Sequence, residues 1–239
     1  MIVILFLTTL IAAFLQTVTG FGFGLITVST YALGMGLISA VAVSNITSTV
    51  LSGVLVKIDF KKVNFKLLLY TLLPALIAGC LGVVASENMP EATLKRILGE
   101  TLVILSIYFM FFQKIIKFRR FVPLGIVIGL ICGLLQGMVA MGGPPMALYY
   151  LCNTDSKEEY MGTLQLYFET MNVITLAMRI LQGQIDRAAW LYSLLLMIPL
   201  GLGILGGRYV FSKLEENTVK KAVYIFMLIC GVYFFISGV

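Results

Sequence analysis

Gln16-Thr17-Val18-Thr19-Gly20-Phe21-Gly22-Phe23-Gly24 and Gln136-Gly137-Met138-Val139-Ala140-Met141-Gly142-Gly143-Pro144-Pro145 are two glycine-rich interruptions in otherwise apolar sequence. They lie 120 residues apart, a spacing that sets Gln16 opposite Gln136 and Gly22 opposite Gly142. Apolar stretches flank each of them, at 2–15 and 22–36 around the first and at 121–135 and 144–152 around the second. Glycine loosens the backbone and proline removes an N–H, so a helix entering either stretch is expected to break there.

The surroundings of the two breaks are those of a membrane protein. Hydrophobic residues make up 60% of the 239 positions and charged residues only 12%, about half the charge of a soluble domain. The apolar runs approach the roughly 17–25 residues that a helix needs to span a bilayer core of about 30 Å. The short alternating segments of a membrane β-barrel are missing, so an all-α, polytopic bundle is expected. Met1–Leu15 has neither a basic start nor a small-residue cleavage site and is not read as a signal peptide. The net charge of +6 fits basic loops that orient a membrane protein better than a nucleic-acid surface, because no basic patch interleaved with aromatics occurs. There is no histidine, and Cys80, Cys132, Cys152 and Cys230 form no C-x-x-C pair. No metal, cofactor or redox disulfide is therefore expected.

Further apolar segments at 38–56, 66–85 and 93–112, and then at 160–181, 190–207 and 219–238, complete two sets of five around a basic hinge at 113–120. Other residues recur in the same order. Asn45 and Ile58-Asp59 match Asn172 and Ile185-Asp186 at a spacing of 127. Pro74, Gly82, Glu91 and Thr93 match Pro199, Gly207, Glu216 and Thr218 at 125. Two homologous repeats, 1–118 and 119–239, follow from this order. If each broken pair crosses the membrane, the repeats are parallel; if each dips in and returns, they are inverted. The inverted arrangement places 13 of the 17 Lys and Arg on one side, leaving Lys95, Arg96, Arg179 and Arg187 on the other. The parallel one divides them 10 to 7. The positive-inside rule favours inversion, with both chain ends outside and the hinge in the cytoplasm.

Irregular backbone at membrane depth survives only when buried in protein or lining a cavity. Unwinding at Thr19–Gly24 and Ala140–Pro145 would start the second half of each pair with free N–H groups and the positive end of a helix dipole. Two such ends facing each other make an anion site. The candidate ligands are Gln16, Thr17, Thr19, Gly20 and Gly22 at the first break, and Gln136, Met141, Gly142 and Gly143 at the second. Asn45, Asn172 and Arg179 join them from neighbouring helices. Close helix packing is the competing reading of the glycines, and it is preferred for Gly34, Gly36, Gly79 and Gly82. Glu169, in mid-segment, is the candidate proton carrier, with Glu100 a weaker one.

At the two breaks the sequence resembles the TauE/SafE sulfite exporter family, also called TSUP. The resemblance extends to length, repeat structure and central basic hinge, although the first break lacks the adjacent glycines common in that family and a double proline follows the second. It implies transport of sulfite, a sulfonate or a related small anion across a prokaryotic plasma membrane. A secondary transporter is the leading expectation. The alternatives are an anion channel and a carrier of another small carboxylate or inorganic sulfur anion. An enzyme is disfavoured by the lack of histidines or an intramembrane Asp pair, and a scaffold would leave two matching breaks without a purpose. The expected partners are a small anion and the bilayer, with a homodimer as an option.

Overall fold

A computed structural model describes residues 2–90, 92–94, 96, 97, 100, 121–215 and 218. The hinge at 113–120 and the segment at 219–238 lie outside the described residues, as do most of the segment at 93–112 and the pair Glu91 and Glu216. Among the described residues the regular structure is all helical. The helices are α1 (Ile2–Thr19), α2 (Phe23–Tyr31), α3 (Leu37–Asp59), α4 (Phe65–Glu87), α5 (Val122–Val139), α6 (Gly143–Leu151), α7 (Lys157–Leu181), α8 (Arg187–Leu195) and α9 (Met197–Lys213), with a 3-10 turn at Phe60–Lys62. By length and apolarity, α1, α3 with its 3-10 extension, α4 and α5 qualify as membrane spans, and α8 with α9, bent by 41°, makes a fifth if the pair is one span.

Local chemistry sets several helix starts. The side chains of Asn64, Ser156 and Asp186 accept from the N–H groups of Leu67, Glu159 and Ala189, each removing one orphan donor of a first turn. Packing then depends on small residues. Gly129, Gly133 and Gly137, one turn apart along α5, lie so close to α4 that a Cβ would strike the carbonyls of Thr71, Ala75 and Gly79. In return, a Cβ on Gly82 would come 2.5 Å from the Leu134 carbonyl. Gly203 of α9 seats against the Leu10 carbonyl of α1 in the same way. In lipid no hydrophobic drive holds helices together, so close backbone approach supplies the contact. Gly79 and Gly82 thus serve packing, as the sequence suggested.

Both broken pairs fold back on themselves. The hydroxyls of Thr9, in the middle of α1, and Tyr31, at the end of α2, are 2.6 Å apart. Along a straight path, at about 1.5 Å per residue, they would be separated by more than ~25 Å. In the second pair, Tyr149 near the end of α6 donates to the carbonyl of Phe121, which precedes α5, at 3.4 Å. The two hairpins enter from opposite ends. Leu5 of α1 packs with Ala40 and Ala189, near the starts of α3 and α8. The start of α5 instead lies by Tyr70, near the start of α4, where Gly125 meets its ring. Since α3 and α4 are antiparallel across the short turn at 60–64, these are opposite ends of the bundle.

Side chains divide by end as well. Asp59 and Arg208 pair at 2.7 Å, and Lys157 donates to the carbonyls of Phe211 and Leu214. Lys57, Lys61, Lys62, Lys66, Lys157, Arg208 and Lys213 therefore share the end where α3 finishes, while Arg179 and Arg187 lie toward the other. Exposed Leu33, Ile77, Leu81, Leu181 and Leu205 leave an apolar outer surface of the kind that lipid covers.

Candidate anion site

Each break is three residues long, Gly20–Gly22 and Ala140–Gly142, between an 18-residue and a 9-residue helix. They are shorter than the six-residue stretches expected from the sequence. The reason is that α1 and α5 continue almost to the glycines and close with matching bonds, from the N–H of Gly20 to the Gln16 carbonyl (2.7 Å) and from Ala140 to Gln136 (3.0 Å). Gly20 and Gly22 take φ of +92° and +107°, which favours glycine, and Ala140 takes +57° at the equivalent point of the second break. Pro144 and Pro145 fall in the first turn of α6, where missing N–H groups cost least.

The two glutamines do the same job. Gln16 Oε1 accepts from the N–H of Phe23 and Gln136 Oε1 from the N–H of Gly142, both at 3.0 Å. Each side chain therefore reaches across its own break to cap the helix beyond. Gln136 Nε2 donates to Asn172 Oδ1 at 2.8 Å, and Gln16 Nε2 to Gln165 Oε1 at 3.3 Å. Gln165 also donates to the Gly20 carbonyl at 2.6 Å, and Tyr160 to the Thr19 carbonyl at 2.6 Å. Asn172 donates to Ser48 Oγ at 2.9 Å. Asn45 and Asn172 meet at 3.4 Å.

The breaks touch. A Cβ on Gly24 would collide with the Ala140 carbonyl, and a Cβ on Gly143 would lie 3.5 Å from Cβ of Phe21. Between them is a cavity of about 20 Å³ whose lining includes Gln16, Gly22, Gln136, Met141, Gly143 and Ser48. Ser48 and Phe168, which also lines it, stand near the middles of α3 and α7, so the cavity sits at half the depth of the bundle. Among the described residues, the N–H groups of Gly24, Leu25 and Gly143 have no protein acceptor. Ser48 Oγ accepts from Asn172 and keeps its own proton to donate. Donors thus converge where the positive end of α2 points. The volume is that of about one water, so a four-atom oxyanion enters only if the hairpins part.

Several expectations shift. Thr17 and Thr19 belong to the last turn of α1, where their hydroxyls return to the carbonyls of Ala13 and Leu15 (2.7 Å each), and neither lines the cavity. Gly20 and Gly142 shape the breaks without lining it. Asn45 and Asn172 stand behind it. Arg179 lines a different cavity. Glu169 is in neither; its Oε2 is buried without a partner, and its Oε1 would lie 3.1 Å from a Cβ on Gly53. Gln165, Ser48 and Phe168 were missed. A signal for Gln165 existed, because Gln165, Asn172, Thr175 and Arg179 recur at helical spacing along one face of α7.

An all-helical membrane bundle with two capped, back-folded half-helices meeting at its centre is the architecture of a transporter core. The chain belongs to the TauE/SafE sulfite exporter family, whose model matches residues 5–234. It is similar to a protein of Cupriavidus necator named "Probable sulfite/organosulfonate exporter TauE", with 24% identity over 219 residues, covering 88% of this chain and 84% of that protein. No solved structure matches it. Family membership makes the chain a multi-pass membrane transporter of the TauE/SafE sulfite exporter type and not an enzyme.

Proposed function

We propose that this protein is a secondary transporter that carries sulfite or a small organosulfonate across a prokaryotic plasma membrane. The meeting of the two breaks over a donor-lined cavity carries this reading. A sulfite or sulfonate group offers three oxygens to the N–H groups of Gly24, Leu25 and Gly143 and to the Ser48 hydroxyl, with the dipole of α2 balancing its charge. Gln16 and Gln136 hold the half-helices in place rather than serving as primary ligands. The cavity is closed on the scale of an oxyanion, which suits a carrier that opens to one side at a time better than a standing pore.

In the same proposal, residues 1–118 and 119–239 are inverted repeats. The doubling back of both hairpins and their approach from opposite ends support it, as does the reciprocal packing of α1 on α9 and α5 on α4. The lysine-rich end that holds Lys57, Lys61 and Lys62 then faces the cytoplasm. Glu169 is proposed to carry a coupling proton.

Counterflow of labelled sulfite in proteoliposomes tests the carrier. Saturable exchange, stimulated by unlabelled sulfite on the far side, is the expected result; linear, unsaturated flux would point to a channel. Single cysteines at Glu87→Cys and Lys61→Cys test the topology, with 87 labelled from outside and 61 from the cytoplasm. The opposite pattern, or labelling of both from one side, would overturn the cytoplasmic placement of the lysine-rich end.

A further inference from the structure

A second cavity, of about 80 Å³, opens near the end where α3 begins and α4 finishes, with Val41, Ser86, Glu87, Met138, Arg179 and Gln184 in its lining. On the measure by which one water needs about 10–15 Å³, it has room for one small oxyanion. It shares no lining residue with the break cavity. Its distinctive group is Arg179, which is only 2% exposed.

The guanidinium is incompletely used. Nη1 donates to Gln184 Oε1 at 2.7 Å, and Nη2 donates to the Gly137 carbonyl in the last turn of α5. Nε is buried and has no partner. A guanidinium carries five N–H donors, so capping α5 accounts for only part of it. Among the described residues, carboxylates pair with Arg96, Lys157 and Arg208 but not with Arg179. Glu87 lines the same cavity, from an exposed position at its rim. A buried cation without a counter-ion, beside a cavity of this size, marks a place where a negative charge visits.

We infer that the Arg179 cavity is a second small-oxyanion site, separate from the break cavity and standing between it and the outer end of α3. The planar fork of arginine suits paired oxygens on one centre, and the N-terminal end of α3, at Leu37 and Ile38, adds positive dipole charge to the same wall. Gly137 and Met138 link the two sites, because they form the last turn of α5 before the second break. The site is one-sided. At the spacing that pairs Asn45 with Asn172, Arg179 falls opposite Ser52, which has no charge to offer.

The test uses full-length protein with Cys80, Cys132, Cys152 and Cys230 replaced by alanine and Val41→Cys as reporter. Alkylation by neutral iodoacetamide is timed with and without sulfate. Sulfate is expected to slow it at least fivefold, and to do so equally in a Gln136→Ala background, while Arg179→Gln removes the protection. Arg179→Lys, which keeps charge but not the fork, is expected to raise the half-protecting sulfate concentration at least threefold, and it decides the matter if Arg179→Gln does not fold. No protection by sulfate, protection indifferent to both Arg179 variants, or loss of protection in Gln136→Ala overturns the inference. Failure of the carrier reading would show instead in sulfite counterflow, whatever happens at Val41→Cys.

Discussion

The break after α1 and the break after α5 have the same length, the same closing bond and the same glutamine cap, yet they offer a guest very different chemistry. The first turns on Gly20 and Gly22 and leaves the N–H groups of Gly24 and Leu25 without protein acceptors. The second turns on Ala140, caps Gly142, and then runs into Pro144 and Pro145, which have no N–H, so Gly143 alone keeps a free donor in its first turn. One geometry is reached by two residue sets. For the proposed site the difference implies a division of work: α2 would supply donors, and the α5–α6 hairpin a wall anchored through Gln136 and Asn172.

The largest expected effect comes from forcing the breaks apart. Gly24→Ala puts a methyl into the Ala140 carbonyl and should cut sulfite counterflow more than tenfold while the protein still inserts. Wild-type exchange in that variant would mean that the contact has no function.

Next come the caps. Gln136→Ala strands the Gly142 N–H and takes a partner at 2.8 Å from Asn172, whereas Gln16→Ala strands the Phe23 N–H and takes a weaker partner at 3.3 Å from Gln165. Each should cost about 1–3 kcal/mol of stability, with Gln136→Ala the worse of the two by thermal unfolding in detergent. An equal or reversed order would contradict the division between wall and donor.

The asparagines sharpen the comparison on affinity. Asn172 holds Gln136 and Ser48 at 2.8 and 2.9 Å, while Asn45 reaches Asn172 only at 3.4 Å. In a thermal-shift titration with sulfite, Asn172→Ala is expected to weaken binding about tenfold and Asn45→Ala less than threefold, since ~1.4 kcal/mol separates each factor of ten. Unchanged binding in both would remove the pair from the site.

The smallest effect is at the turn itself. Ala140→Gly relieves a left-handed residue worth roughly 1 kcal/mol and should raise the unfolding temperature slightly. Gly20→Ala should lower it, because the new methyl would also lie 2.9 Å from the Tyr160 hydroxyl. Matching shifts of the same sign would show that the two turns are not equivalent.

Much of this was legible beforehand. Apolar run length gave the helices, because the bilayer leaves the backbone no other way to satisfy itself. Two breaks 120 residues apart could be read because glycine and proline leave a local mark. Of the loop charges, Lys57, Lys61, Lys62, Lys157, Arg208 and Lys213 gather at one end of the described bundle, while Lys114, Lys117, Arg119, Arg120, Lys220 and Lys221 lie outside the described residues. Ligand identity was legible only in part. Gln16 and Gln136 stood out by position, but their role as caps depends on the backbone turning back toward them. Thr17 and Thr19 looked available only because the last turn of α1 could not be foreseen.

The amino-acid sequence by itself determined that the chain lives in a bilayer and where its helices break, since hydropathy and backbone freedom are properties of neighbours along the chain. Only the tertiary structure decided that the breaks meet at half depth, that Gln165 and Ser48 join them, and that Arg179 belongs to a cavity of its own. Those are contacts between residues as far apart as 149 positions, fixed by how glycine-faced helices pack together rather than by any local preference.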